Sequence, residues 1–229
     1  MRMSPLLLLV LVFIDDFDAR LSKKERHTVL NAHNHYRRIL AKGVSRSNDG
    51  ETLPEAANMF KMKYSRKIEH VAQKWASKCT GKHSYNPKYG ENIAQFWPYA
   101  NKKKVLKESA HNWWAELKKF GMNRNLKFTE TLDNGNTWED IGHWSQMAWA
   151  KTIKIGCGVA KCPGNPNSAF VVCNYSPKKK LKRQAYVLAI AFDLISSIVG
   201  SMNRDCQRKK EMKRGSVVLP TACFFSPFL

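Results

Sequence analysis

Six cysteines, at positions 79, 157, 162, 173, 206 and 223, constrain this chain more than any other feature, because their chemistry depends on where the chain folds. The N-terminus bears on that. Arg2 precedes an apolar run over residues 5–14, dominated by leucine, valine and isoleucine. The run is too short to cross a bilayer as a helix, which takes ~20 residues. A basic start, a short apolar stretch and the small residue Ala19 read together as a secretory signal peptide over residues 1–19. An exported chain meets an oxidising compartment, where an even set of cysteines forms a disulfide framework. Four of the six lie in the body, at 79, 157, 162 and 173, and two lie near the C-terminus. Four cysteines allow three pairings, and spacing alone does not choose among them. Thiols also ligate zinc, but Cys157 and Cys162 stand five apart, a poor spacing for a zinc knuckle.

The 229 residues fit one domain of ordinary size with an appendage. At 43% hydrophobic, the chain has enough apolar surface for a core, which excludes wholesale disorder. Its formal net charge of +21 disfavours casual binding of cations and predicts attraction to anionic surfaces. That charge is unevenly owned. Residues 178–229 carry +8 and residues 20–177 carry +15. A basic body and a more densely basic tail therefore need separate explanations. The tail contains the charge run Lys178-Lys179-Lys180-Leu181-Lys182-Arg183. It also contains an apolar stretch over 186–200, interrupted by Asp193 and not a firm membrane span.

Periodicity places helices over 22–41, 65–79, 105–120 and 137–150. Ser22 with Glu25 forms a capping box, and Val29, His33, Tyr36 and Leu40 share a face of the first helix. In the second, Ile68, Val71, Ala72, Trp75, Ala76 and Cys79 recur at helical spacing, so Cys79 points inward near Gly81. In the third, Val105, Leu106, Ala110, Trp113, Leu117 and Phe120 face in. Thr137 with Asp140 caps the fourth. Strands are predicted over 91–96, 154–159 and 169–175, the last two joined by the turn-rich residues 163–167 into a hairpin. Helices flanking a small, mostly antiparallel sheet make an α+β layer arrangement.

Four side chains could carry chemistry: His83, Glu91, Glu116 and His143. Two imidazoles offer neutral nitrogen to a divalent metal, and two carboxylates could orient the rings or do acid–base work. The four are far apart in sequence and form no local metal signature, so polar groups satisfying one another in a core is the competing reading.

Several motifs carry a family resemblance. Gly142-His143-Trp144-Ser145-Gln146-Met147-Ala148-Trp149 resembles the GHxxQxxW signature of the CAP superfamily of cysteine-rich secretory proteins, venom allergens and group-one pathogenesis-related proteins. Val171-Val172-Cys173-Asn174-Tyr175-Ser176-Pro177 resembles its second signature. Cys79-Thr80-Gly81-Lys82-His83-Ser84 with Gly90-Glu91-Asn92-Ile93, and Ile155-Gly156-Cys157-Gly158-Val159, resemble two further blocks. The match runs in order from about Lys24 to Pro177 and is most similar to nematode secreted members. The resemblance implies a three-layer α-β-α sandwich over residues 20–177. It also implies the pairings Cys79–Cys162 and Cys157–Cys173. It makes His83, Glu91, Glu116 and His143 a cavity tetrad, with His83 and His143 as ligands to a divalent ion such as zinc or magnesium, though no cofactor is required. After Pro177 the pattern breaks where the family continues with a Gly-Asn pair. Residues 178–229 are read as a divergent basic tail, disordered or an artefact of the gene model.

Three functions compete. The resemblance implies a secreted, extracellular, non-enzymatic binder of lipid, sterol or host proteins, with residues 120–138 matching a loop given sterol-binding roles in relatives. The tetrad could instead serve a hydrolase, metal-dependent or using Ser84 or Ser145, but residues adjacent in sequence to the histidines point in different directions. The basic body could bind glycosaminoglycans or anionic membranes. Nucleic acid is not expected, since no such motif is present. The sequon Asn174-Tyr175-Ser176 falls inside a predicted strand, which argues against glycosylation.

Overall fold

The computed structural model describes residues 20–122, 126–128, 135–137, 139–162, 168–179 and 183–184. The chain divides into two units, 1–187 and 188–229, and everything described belongs to the first. The leader, the apolar stretch 186–200, Cys206, Cys223 and most of 120–138 lie outside the described residues.

Helix α1 is Lys23–Ala41, α2 is Arg66–Ala76, α3 is Lys102–Phe120 and α4 is Gly142–Ala148. The strands are β1 Lys63–Tyr64, β2 Gly90–Phe96, β3 Lys127–Phe128, β4 Lys154–Lys161, β5 Ala169–Ser176 and β6 Arg183–Gln184. The capping box opens α1 as expected: Ser22 Oγ accepts from Glu25 N–H and Glu25 Oε2 accepts from Ser22 N–H. The buried stripe of α1 is Val29, His33, Arg37 and Leu40, so the expected face is corrected at one position. Arg37 replaces Tyr36 because its guanidinium donates to the carbonyls of Phe60, Met147, Trp149, Ala150 and Thr152, at 2.6–3.2 Å. A buried cation is tolerable when all its donors are used. Tyr36 stays half-buried and stacks on Trp114.

Helix α2 ends at Ala76 rather than at 79. Lys78 and Cys79 bond back three residues to Trp75 and Ala76, tightening the last turn, and Cys79 takes a left-handed conformation (φ 50°). Helix α3 begins earlier than expected because Asn101 Oδ1 accepts from Lys104 N–H. Its face holds as predicted except that Phe120 is only half-buried. The fourth helix is much shorter than 137–150. Thr137 and Asp140 do pair, through N–H and hydroxyl to Oδ2, but they close a separate turn before the helix.

The main sheet has the order β1-β4-β5-β2, with β1 parallel to β4 and the other pairs antiparallel. The β4–β5 hairpin sets Cys157 opposite Cys173, where a disulfide joins them, and a second disulfide joins Cys79 to Cys162. The first is fully buried inside the sheet. Both faces are covered. On one, Ile155, Cys157, Val159, Val171, Cys173 and Tyr175 pack with residues of α1, α3 and α4. On the other, Phe170 and Val172 pack on Ala72 and Ala76 of α2. This is the expected α+β, three-layer sandwich with unequal outer layers.

Two glycines explain how close α2 lies. A Cβ at Gly156 would overlap the main chain at Ile68 and Glu69, and one at Gly158 would overlap that at Ala72 and Gln73. Strand β1 covers only the first two residues of β4, leaving an edge beyond it. The Tyr64 hydroxyl accepts from Cys157 N–H, while Gln73 Oε1 and Nε2 pair with Val159 N–H and carbonyl like a substitute strand. Past Pro177, β6 pairs antiparallel with β3, Lys127 opposite Gln184.

Candidate functional site

The four residues singled out from sequence form two pairs. On the loop before β2 and on β2 itself, His83 Nδ1 lies 3.0 Å from Glu91 Oε1. Between α4 and α3, His143 Nδ1 lies 2.5 Å from Glu116 Oε1. Each carboxylate is fixed by more than its histidine. Glu91 also accepts from Ser84 N–H (2.7 Å), Ser84 Oγ and Asn174 Nδ2. Glu116 accepts from His143 N–H (3.0 Å) and Trp144 N–H (2.8 Å). The residue preceding α4, Ile141, has no side chain able to cap it. Glu116 therefore caps the helix from a different element, which satisfies orphan donors and holds His143 at once.

Both carboxylates are nearly enclosed, with side chains 7% and 15% exposed, whereas the His83 and His143 rings are 46% and 30% exposed. Burial pushes the Glu91 carboxyl up, but the hydrogen bonds from His83 and Ser84 outweigh it and hold the group below its ordinary value. A carboxylate acceptor at Nδ1 puts the ring proton there. Nε2 is then the nitrogen with a free lone pair on each neutral ring.

The two pairs are neighbours through the structure between them. Asn92 Nδ2 donates to the His143 carbonyl. Trp113 stacks on His143 with ring centroids 5.8 Å apart, and its indole N–H donates to Ile93 O on β2. Among the described residues, no group of three or more His, Cys, Asp or Glu side chains converges on a common point. The site is two carboxylate-locked imidazoles, not a four-residue cluster.

Several residues at the site had no assigned role in the sequence. Gln146 packs where a Cβ on Gly90 would stand, donates to Thr152 Oγ1 and accepts from Lys179 N–H. This explains why glycine precedes Glu91. Asn174, the sequon residue, is wholly buried and donates to Glu91, which leaves its amide no open face for a glycan. The Lys179 ammonium sits on Gly142 O (2.5 Å) and Ser145 Oγ (2.8 Å). Enclosure pulls it down to about 7, partly opposed by the nearby Glu116. A lysine in a solvent-seeking charge run has no signal that would predict this. The serines do not touch the imidazoles by hydrogen bonds: Ser84 Oγ donates to Glu91 and Ser145 Oγ to Gly142 O.

A model of the cysteine-rich secretory protein family matches residues 30–175. The Ancylostoma secreted protein of Ancylostoma caninum is 37% identical over 156 residues, 66% of this chain. The chain spans only 36% of that relative's length. Venom allergen 5 of Vespula pensylvanica is 33% identical over 163 residues, covering 69% of this chain and 76% of the allergen. Among solved structures, NaASP2 with Zn2+ superposes with a TM-score of 0.67 at 31% identity, covering 74% of this chain and 88% of that one.

Proposed function

This chain belongs to the cysteine-rich secretory protein (CAP) family, and on that footing we propose that it is an exported binding protein whose two histidines hold a divalent cation. One observation carries the reading. Each imidazole has its Nδ1 taken by a carboxylate that main-chain N–H groups hold in place. That arrangement leaves Nε2 of His83 and of His143 as the donor atoms, with Glu91 and Glu116 orienting the rings. The donor chemistry suits zinc, which takes imidazole nitrogen, better than magnesium, which prefers oxygen. When bound, the ion would supply Lewis acidity or a bridge to an oxygen-bearing ligand. The related crystal structure of NaASP2 with Zn2+ supports the reading.

Binding is favoured over serine hydrolysis because the Ser84 and Ser145 hydroxyls are committed to Glu91 and Gly142 rather than to a histidine. A lipid or sterol and extracellular proteins are the ligand classes that family membership supports. On this reading residues 1–19 are a cleaved leader, residues 20–177 the CAP domain and residues 178–229 a divergent basic tail. Among the described residues, no helix is long and apolar enough to cross a membrane.

Equilibrium dialysis of the purified secreted protein against Zn2+ tests the site. Wild type should retain the ion, and His83→Ala and His143→Ala should lose it. Glu91→Gln and Glu116→Gln should weaken retention by about 10–100-fold, as loss of a ligand's orienting partner does. Retention by His143→Ala equal to wild type would overturn the assignment. A hydrolytic activity of pure wild type that His143→Ala abolishes would overturn the binder reading.

A further inference from the structure

Among the described residues, a group of lysines with little acidic compensation lies away from the His/Glu pairs. Helices α1 and α3 run parallel, side by side. Lys103 shares a cavity of about 480 Å³ with Lys23, Lys24 and His27, and further along Tyr36 Oη lies 3.0 Å from His111 Nδ1. Between these ends a second cavity, of about 680 Å³, is lined by Lys104 and Lys107 opposite Thr28, Asn31 and His35. Thr28 and Asn31 line both, so the two form one continuous furrow. From residue 23 to residue 35 it extends roughly 18 Å at the rise of an α-helix.

Five lysines, Lys23, Lys24, Lys103, Lys104 and Lys107, border this furrow, and all are exposed. Among the described residues, the one carboxylate lining it is Glu108, 3.8 Å from Lys104. None of the other four lysines has an ion pair among the described residues. Folding does not ask for this placement. Lys23 and Lys24 begin α1 and Lys103 and Lys104 begin α3, where the helix dipole disfavours cations, and the two sets repel across the furrow. Helix α3 carries no acid in its first turn to relieve them. Such convergence costs stability and is explained if an anionic partner offsets it.

The shape and chemistry select among anionic partners. Among the described residues, none of the exposed large apolar side chains, Val44, Phe60, Tyr85, Trp97 and Ile153, lines either cavity to act as a wedge into a lipid surface. Among the described residues, Tyr36 is the one phenyl-type ring lining the furrow, and it is already stacked on Trp114, which disfavours its use as a platform for a nucleic-acid base. A furrow with lysines on both banks, and with Asn31 and Thr28 on the α1 side, fits a rod-like chain bearing regularly spaced anions and hydroxyls. We propose that the α1–α3 furrow binds a sulfated glycosaminoglycan, its sulfates held by Lys23, Lys24, Lys103, Lys104 and Lys107.

The test uses the full secreted protein on immobilised heparin with a NaCl gradient, comparing two triple variants of equal charge. Lys103→Ser/Lys104→Ser/Lys107→Ser should elute at clearly lower salt, and its affinity for a heparin fragment should fall at least tenfold. Lys67→Ser/Lys74→Ser/Lys78→Ser, on and just after α2 across the sheet, should elute close to wild type. Equal elution of the two triples would mean retention by net charge alone and would overturn the proposal. Amine acetylation of wild type with and without heparin removes any dependence on the variants folding. Protection of the five furrow lysines but not of Lys67, Lys74 and Lys78 supports the site, and uniform protection overturns it. Binding to phosphatidylserine vesicles or to single-stranded DNA that heparin fails to displace would also overturn it.

Discussion

His33 shows how much a single buried side chain can tie together. It is fully buried on α1, with Nδ1 2.8 Å from Val29 O and Nε2 2.9 Å from Tyr175 Oη. A carbonyl can only accept, so Nδ1 carries the proton and Nε2 accepts from the tyrosine, which is the neutral ring. Burial pulls this imidazole down to about 4, against an ordinary 6.5, with the Val29 carbonyl resisting and Arg37 assisting. The unfolded chain therefore takes up a proton below 6.5 that the native state refuses until about 4. Stability is full above that window and falls as pH drops through it, by at most about 3 kcal/mol. Glu91, held below its ordinary 4.5, adds acid sensitivity only lower down. Urea unfolding of His33→Gln between pH 7 and 4.5 should show a clearly shallower loss than wild type, and an equal loss would refute this account. The stripe position of His33 was readable from helical spacing. The guanidinium of Arg37 one turn further was not, because its burial depends on five carbonyls brought from residues 60 and 147–152.

Elements were legible where their signals are local. The capping box of α1 and the β4–β5 hairpin, with its apolar alternation and turn residues, were readable in this way. Helix α4 was overextended because nothing local reveals that its N-terminus is capped by Glu116 of α3, nor that Thr137 and Asp140 close a separate turn. Pattern could place His143 and Glu116 on their helices, but their contact depends on how those helices dock. The docking of α2 on β4 is the sharpest case. Alternation marks Ile155, Cys157 and Val159 as one face, while the glycines between them are what admit the helix on the other. Gly158→Ala would set a methyl group into the main chain at Gln73, which cannot give way as a flexible side chain could. We expect a loss of about 3 kcal/mol in urea unfolding, at the upper end of overpacking costs, with Gly156→Ala similar. A loss below 1 kcal/mol would show that α2 can lift off without penalty.

For the whole molecule, the net charge of +21 separates into parts with different meanings. One part is a tail lying mostly outside the described residues, another is the lysine furrow between α1 and α3, and Lys179 is turned inward onto Gly142 and Ser145. Composition announced the total, but only the packing of two parallel helices shows where it is concentrated. The two disulfides divide the molecule differently. Cys157–Cys173 lies in complete darkness to solvent within the sheet, whereas Cys79 and Cys162 retain partial access at the surface. A small reductant can reach the outer bridge in the folded protein but must wait for the sheet to part before it meets the inner one. Under mild reductant with a thiol trap, Cys79 and Cys162 should be labelled early, at a rate that follows reductant concentration. Cys157 and Cys173 should be labelled late, at a rate that levels off with reductant and is slowed by whatever steadies the native state. Simultaneous labelling of all four would contradict this. The inner bridge thus acts as a clock for rare global opening, and its ticking could be used to detect a bound ion or glycan without labelling either.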